Sequence, residues 1–158
     1  MAEQKTNAMR QLDKNRIPYT LHTYDPGEGI DGVSVARKMG QPVERVYKTL
    51  VTKGKHGHFV FVIPVAAELD LKAAARTVGE KAVEMIPVKD IHTVTGYIRG
   101  GCSPVGMKKL FPTVIDSSAQ TLSSFYVSGG RIGLQMELNP AALADFIGAS
   151  FAPIIAAP

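Results

Sequence analysis

The chain has little that would suggest a secreted or membrane-spanning protein. A single cysteine, Cys102, among 158 residues excludes an internal disulfide framework and fits a reducing compartment. The polar N-terminus, residues 1–10, lacks the apolar core of a secretion signal. The longest apolar run, residues 59–67, is interrupted by Pro64 and falls well short of the roughly 20 residues of a membrane-spanning helix. A soluble cytoplasmic protein without a membrane partner is therefore expected.

The chain also lacks internal repeats, low-complexity segments and linkers. Its length suits one domain with one core, spanning residues 1–158. Hydrophobic residues make up 45% of the chain and charged residues 20%, which is ordinary for a folded globular protein. The net charge of +4, from 18 Lys and Arg against 14 Asp and Glu, permits an anionic partner without demanding one.

Short helical and strand-like segments follow one another with frequent turns. Strands are predicted at residues 17–24, 46–53, 59–65, 82–86, 113–116, 122–127 and 133–138. Helices are predicted up to residue 15, at 33–39, after the caps Asp70 and Asn139, and briefly after Pro87. The strand at 59–65 is apolar on both faces and should be central, whereas the tail after Phe151 should be poorly ordered. Because several strands are joined by hairpin-length turns, an α+β fold around a curled mixed sheet is expected.

Lys48 occupies the most informative position. Alternate side chains of a strand share one face, so Val46, Lys48 and Leu50 point the same way. A charge between two aliphatic residues is costly unless it has an anionic or carbonyl partner, or a lowered pKa. Lys48 is therefore a candidate for holding a phosphate or polarising an ester carbonyl. The alternative is an edge-strand lysine whose aliphatic stem carries its ammonium to water.

Two glycine loops are further candidates for ligand binding. Residues 100–106 read Gly-Gly-Cys-Ser-Pro-Val-Gly and precede Lys108 and Lys109, while residues 128–131 read Ser-Gly-Gly-Arg. Glycines let a backbone approach a ligand, and successive N–H groups can cradle an anion. Neither loop has a nucleotide-binding fingerprint, and both are also compatible with tight turns beside solvated cations.

The sequence offers no activated nucleophile and no metal-binding cluster. Cys102 would need an activating histidine, and none stands at a recognised spacing. His56 and His58 flank Gly57 in the predicted hairpin, where a metal site would need further ligands. No cofactor or metal is therefore expected.

Five segments of the chain occur in an order typical of one protein family. They are Ile17-Pro18-Tyr19-Thr20, Val46-Tyr47-Lys48-Thr49-Leu50, Leu69-Asp70-Leu71-Lys72-Ala73-Ala74, residues 100–109 (Gly-Gly-Cys-Ser-Pro-Val-Gly-Met-Lys-Lys), and residues 126–134 (Tyr-Val-Ser-Gly-Gly-Arg-Ile-Gly-Leu). Together they resemble the YbaK/EbsC family of Cys-tRNA(Pro) deacylases, which is related to the editing domain of bacterial prolyl-tRNA synthetases. The resemblance covers about residues 5–148.

The resemblance implies a barrel-like mixed sheet surrounded by short helices, and removal of a wrong amino acid from tRNA in trans. Lys48 matches the lysine on which the family depends and is the expected catalytic residue. The expected substrate-binding residues are Tyr19, Thr49, Gly100, Gly101, Ser128 and Gly129. The resemblance also implies that the thiol of the bound cysteine attacks its own ester carbonyl, so that the enzyme needs no nucleophile and contributes positioning and charge stabilisation.

The expected partners are the acceptor end of tRNA and, as a helper, prolyl-tRNA synthetase. Contacts dominated by phosphates would make tRNA binding sensitive to salt. Two positions depart from the family pattern: Ile132 replaces an expected basic residue, and Gln135 stands where some relatives have an acid. Editing of alanine or another small amino acid on proline tRNA stays open, as does a non-catalytic module that binds tRNA or a synthetase. The oligomeric state cannot be read from the sequence.

Overall fold

A computed structural model describes residues 5–27 and 29–157 of the chain. The α-helices are α1 (Asn7–Lys14), α2 (Gly32–Met39), α3 (Leu71–Thr77), α4 (Ile91–Thr95) and α5 (Pro140–Ile147). The β-strands are β1 (Thr20–Thr23), β2 (Tyr47–Gly54), β3 (Gly57–Pro64), β4 (Glu84–Met85), β5 (Thr113–Asp116), β6 (Phe125–Ser128), β7 (Leu134–Leu138) and β8 (Ser150–Ala152). Short 3-10 helices lie at Val43–Arg45, Val88–Asp90 and Ser117–Thr121. None of the described helices has the length and apolar character needed to span a membrane.

The strands form two sheets. The larger sheet is mixed, with the order β4-β2-β3-β5-β8, in which β2 is antiparallel to β3 and β4, and β5 is parallel to β3 and β8. The smaller sheet is antiparallel, with the order β1-β7-β6. A parallel bridge between Val46 and Tyr126 joins the start of β2 to β6. The expected α+β fold is confirmed, although the strands divide into two sheets that do not close into a barrel.

The β2–β3 hairpin is the centre of the larger sheet. Its strands pair over their whole length, from Tyr47 opposite Pro64 to Gly54 opposite Gly57. Residues 60–63 of β3 are at most 1% exposed, so both faces of this strand are buried, as its continuous apolar sequence predicts. One face packs against α3, and the other packs against α1, α5 and the smaller sheet. Burial of each large apolar side chain contributes about 1.5–3 kcal/mol to the stability of the fold, so the hairpin is a rigid part of the structure against which its neighbours pack.

The helix termini follow the capping residues of the sequence. The Asp70 carboxylate accepts hydrogen bonds of 3.1 Å from the backbone N–H groups two and three residues further on, at the start of α3. Asn139 caps α5 with a hydrogen bond of 2.9 Å. Helices α2 and α5 end at Gly40 and Gly148, whose φ angles of 67° and 68° are left-handed and favour glycine.

The C-terminal segment packs onto the larger sheet, so the prediction of a poorly ordered tail after Phe151 is wrong. Strand β8 pairs with β5, and the Ile154 side chain is fully buried beside α3. The Asp116 carboxylate, 2% exposed, accepts hydrogen bonds from the N–H of Ile154 (3.0 Å) and the N–H of Ser118 (3.1 Å) through its two oxygens. The hydrogen bonds of the Asp116 carboxylate and the apolar packing around Ile154 together hold the C-terminal segment, whose own residues are mostly apolar.

Replacement of Asp116 by asparagine tests this anchor. The NH2 group of asparagine would face one of the two backbone donors, and a buried unsatisfied donor costs about 1–3 kcal/mol. We expect urea unfolding to show that loss for Asp116→Asn, together with faster hydrogen exchange at the Ile154 amide. Asp145→Asn, at an exposed site on α5, is the control. Equal stability of the two variants would contradict the anchor.

Candidate active site

A cleft of about 710 Å³ lies where the two sheets meet the first turn of α2. Its walls come from the first half of β2 and the start of α2, together with Tyr24, Arg99, Gly100, Cys102, Ser128 and Gln135. The volume is within the range of roughly 300–1,000 Å³ that holds a drug-sized ligand. The cleft is therefore large enough for a ligand with several chemical groups.

An interruption in strand pairing forms the floor of the cleft. Val46 is bridged to Tyr126 of the smaller sheet, whereas β4 pairs with β2 only at Thr52 and Lys53. Within the described chain, residues 47–50 have no strand partner on that edge of β2. The unpaired edge leaves backbone groups of Lys48, Thr49 and Leu50, which are partly exposed, open to a ligand, whereas Tyr47 is buried.

Lys48 lies in this unpaired stretch, and its half-buried side chain lines the cleft. Burial lowers the pKa of its ammonium, an effect that the negative charge of Glu68 opposes. The ammonium makes no hydrogen bond or ion pair with residues 5–27 or 29–157. A partly desolvated cation without a hydrogen-bond partner among the described residues is suited to an anionic or carbonyl oxygen of a ligand.

Three further polar atoms in the cleft wall are buried and have no hydrogen-bond partner in the described part of the chain. They are Tyr24 Oη, Thr49 Oγ1 and Gln135 Oε1. Each unsatisfied buried group costs about 1–3 kcal/mol, so native structures contain few of them. The three atoms belong to three different segments, the residue after β1, the first half of β2 and the start of β7. Their residues all line the cleft, but the atoms themselves are shielded from solvent behind its surface.

The two glycine loops meet at one wall of the cleft. A Cβ atom on Gly101 would lie 3.0 Å from the backbone N of Ile132, so the close approach of the loops requires glycine there. Gly100 and Ser128 line the cleft, whereas Gly101 and Gly129 are outside its lining and shape the wall through their backbones. The sequence thus identifies both loops, and the structure brings them together.

Tyr19, expected at the substrate pocket, does not line the cleft, and Tyr24 does. Tyr19 packs against the main core, and its burial, with a hydrogen bond to Asp13, raises the pKa of its phenol to about 12. His22 of β1 pairs with Gln135 of β7, and Tyr24 is the next residue of that face. Side-chain alternation along β1 places Tyr24 on the same face as His22, but only the pairing of β1 with β7 shows that this face adjoins the cleft. Contact between Tyr19 and a substrate stays a prediction.

Cys102 lines the cleft but is held in its neutral form. Burial raises the pKa of the thiol to about 11, outweighing the opposing effect of a hydrogen bond with Thr95. A neutral thiol is a poor nucleophile, and no histidine is present among the described lining residues to activate it. The cleft wall therefore supplies no activated nucleophile within the described chain.

The histidines of the β2–β3 turn have other contacts. His56 Nδ1 lies 2.7 Å from Glu80 Oε2, and the His58 ring packs edge-to-face with Phe111 at 5.5 Å between centroids. No group of three or more His, Cys, Asp or Glu side chains suited to a metal ion is found among residues 5–27 and 29–157. The groups available to a ligand in the cleft are a half-buried ammonium, polar side-chain atoms and an unpaired strand edge.

The sequence is similar to proteins that act on aminoacyl-tRNA or synthesise it. Residues 30–146 match the family model of the aminoacyl-tRNA editing domain. The chain is 47% identical over 154 residues to EbsC of Enterococcus faecalis, a candidate Cys-tRNA(Pro)/Cys-tRNA(Cys) deacylase, with 96% of this chain and 94% of EbsC covered. It is 26% identical over 126 residues to the proline–tRNA ligase of Fervidobacterium nodosum, covering 72% of this chain and 22% of the ligase.

Solved structures share the fold. A crystal structure of a candidate trans-editing enzyme for prolyl-tRNA synthetase has a TM-score of 0.83 and 22% identity, covering 98% of this chain and 100% of that one. A protein of unassigned function has a TM-score of 0.87 and 21% identity, covering 96% of this chain and 100% of that one. The fold, the family model and the identity with EbsC confirm the resemblance seen in the sequence. The chain belongs to the aminoacyl-tRNA editing domain family.

Proposed function

We propose that this chain is a deacylase that acts in trans on Cys-tRNA(Pro), cleaving the ester that joins cysteine to the tRNA. The observation that carries the proposal is the half-buried Lys48 ammonium, which has no hydrogen-bond partner among the described residues, in the cleft of an editing-domain chain. The name of EbsC, 47% identical, supports cysteine as the amino acid and extends the substrates to Cys-tRNA(Cys).

Lys48 is the proposed catalytic residue. The ester carbonyl oxygen gains negative charge as a nucleophile adds to it, and a cation in a partly desolvated cleft stabilises that charge more than water does. Lys48 makes no hydrogen bond or ion pair within the described chain, so its charge is available to the substrate. The aminoacyl group would lie along residues 47–50, where the edge of β2 is unpaired.

The polar lining offers contacts for the rest of the substrate. An aminoacyl ester presents an amino group, a carbonyl oxygen and a free ribose hydroxyl. Gln135 Oε1 and the Tyr24 and Thr49 hydroxyls lie behind the cleft surface, so hydrogen bonds from them to the amino group or the ribose hydroxyl would require a side-chain rotation that exposes them. Ser128 and Gly100 supply further contacts at the wall formed by the two glycine loops, with Gly101 and Gly129 behind them. Such a rotation on binding would give the three buried atoms the partners that they lack within the described residues.

The nucleophile in this proposal is the thiol of the bound cysteine. Its sulfur forms a bond with the ester carbonyl carbon, the ester bond to the ribose breaks, and the thiol proton passes to the ribose oxygen. The products are a free tRNA and a cyclic cysteine thioester, which water opens. The neutral state of Cys102 supports this assignment, because a reactive enzyme thiol in the same cleft would compete for the ester. Close positioning makes such an intramolecular attack fast.

The proposed partners are the acceptor end of tRNA and prolyl-tRNA synthetase, acting in the cytoplasm with residues 1–158 as one unit. Arg99 is exposed and lines the cleft, so it can approach a tRNA phosphate. A chain of 158 residues offers little surface for reading the rest of a tRNA, which is why a synthetase that selects proline tRNA is proposed as the helper. The likeness to part of a proline–tRNA ligase supports this association.

Deacylation of Cys-tRNA(Pro), Ala-tRNA(Pro) and Pro-tRNA(Pro), with a chelator present, tests the proposal. We expect rapid loss of cysteine alone. Lys48→Ala should lower kcat/KM about 10²–10³-fold, as loss of a group that stabilises the oxyanion does. Lys53→Ala, an exposed position on the same strand, is the matched control and should stay within about twofold of wild type.

Other outcomes would redirect the proposal. Rapid loss of alanine instead of cysteine would place the chain in another editing class. Binding of tRNA without turnover of any substrate would indicate a non-catalytic module. Equal activity of the Lys48 and Lys53 variants would contradict the role of Lys48.

The pH profile tests whether the Lys48 ammonium is the active form. Its pKa is lowered by burial, so activity should fall as pH rises through a value below the roughly 10.4 of an exposed lysine. Lys48→Arg keeps its charge to above pH 12 and should lack this descending limb. Rates are corrected for spontaneous ester hydrolysis, and NMR of labelled lysine gives the Lys48 pKa independently. A limb that persists in Lys48→Arg, or a Lys48 pKa at or above the roughly 10.4 of an exposed lysine, would contradict the assignment.

A further inference from the structure

Two isoleucine side chains from separate loops lie over Gly100, a residue of the cleft wall. A Cβ atom on Gly100 would lie 2.9 Å from Ile30 Cδ1 and 3.3 Å from Ile132 Cγ1, so both side chains pack over the same glycine. Gly100 has a φ of 87°, a conformation that also favours glycine. The absence of a side chain at Gly100 therefore makes room for Ile30 and Ile132 to form one apolar surface, called here the isoleucine platform.

The platform is exposed, although the rest of the cleft is adapted to polar groups. Ile30 is 38% exposed and lines the cleft, whereas Ile132 is half-buried and lies outside the lining, next to the lining residue Gly100. Val33, at the start of α2, is also 38% exposed and lines the cleft. Branched aliphatic side chains at the edge of a cavity gain free energy when a flat apolar group covers them.

The size of the cleft leaves room for such a group. Its volume of about 710 Å³ exceeds what a single cysteinyl group would fill, and the unpaired polar atoms are in the wall and not on the platform. Every aminoacyl-tRNA carries its amino acid on a terminal adenosine, so the group next to the ester is a ribose with an adenine base. The exposed Arg99, beside Gly100, adds a cation where the phosphate of that nucleotide would lie.

We propose that the isoleucine platform binds the terminal adenine base of the tRNA, while the inner part of the cleft receives the aminoacyl ester. The inference rests on the proposed function and adds a substrate-binding role for Ile30 and Ile132. The platform positions the ester and takes no part in bond breaking.

Substrates of increasing size separate this role from a structural one. Three are compared: cysteine ethyl ester, 3′-O-cysteinyl-adenosine and Cys-tRNA(Pro). For the variant Ile30→Ala/Ile132→Ala we expect KM for the two adenosine-containing substrates to rise about five- to tenfold, the loss expected for several buried carbons. Cysteine ethyl ester should be cleaved at the wild-type rate. Ile98→Ala, at a 53% exposed isoleucine outside the cleft lining, is the matched control and should change nothing.

A binding measurement tests the platform without catalysis. Adenosine 5′-monophosphate, titrated into the wild-type chain, should shift the δ1-methyl NMR signals of Ile30 and Ile132 and leave that of Ile98 in place. Absence of those shifts would overturn the platform, whatever the chain deacylates. Equal losses of the double variant on all three esters would also overturn it, because the isoleucines would then shape the inner cleft. Shifts with no turnover of any ester by wild type would preserve the platform and overturn the deacylase proposal.

Discussion

The unpaired stretch of β2 is the constraint on which the site depends. The strand is bridged to the smaller sheet at Val46 and bound from Val51 onward by β4 and the residue after it, and residues 47–50 remain unpaired on that edge. Helix α2 lies above these residues. It can pack close to the end of β3 because Gly32 has no side chain: a Cβ atom there would lie 2.3 Å from Val65 Cγ1. The cleft is therefore a gap in sheet pairing that is roofed by a helix, and Lys48 lies in its floor.

Much of this fold could be predicted from the sequence because its signals are local. Helix caps such as Asp70, and the apolar run of β3, depend on a few adjacent residues. The division into two sheets depends on pairing between distant strands, which no local pattern specifies. The C-terminal segment shows the same limit: Ile154 is anchored by Asp116, 38 residues earlier, and its own sequence of small apolar residues gives no sign of that acceptor.

The candidate site divides in the same way. Lys48 could be found from the sequence because a charge among aliphatic residues breaks a local pattern, and the glycine loops could be found from their composition. Tyr24 and Gln135 are ordinary residues for their strands and become informative only when the fold buries their polar atoms in one cleft. Ile30 and Ile132 are separated by about a hundred residues, and their meeting over Gly100 could be recognised only in three dimensions.

A cleft that holds a cation and polar contacts but no activated nucleophile would select substrates that bring their own, which links the chemistry to the specificity. The most direct test compares single-turnover deacylation of Cys-tRNA(Pro) with that of S-methylcysteinyl-tRNA(Pro), which differs only in a blocked sulfur. If the substrate thiol is the nucleophile, cysteine is released rapidly, whereas S-methylcysteine is released only at the rate seen without enzyme. The analogue should still compete with Cys-tRNA(Pro) for binding. Release of both amino acids at similar rates would contradict attack by the substrate thiol and would require a water molecule or an enzyme group as the nucleophile.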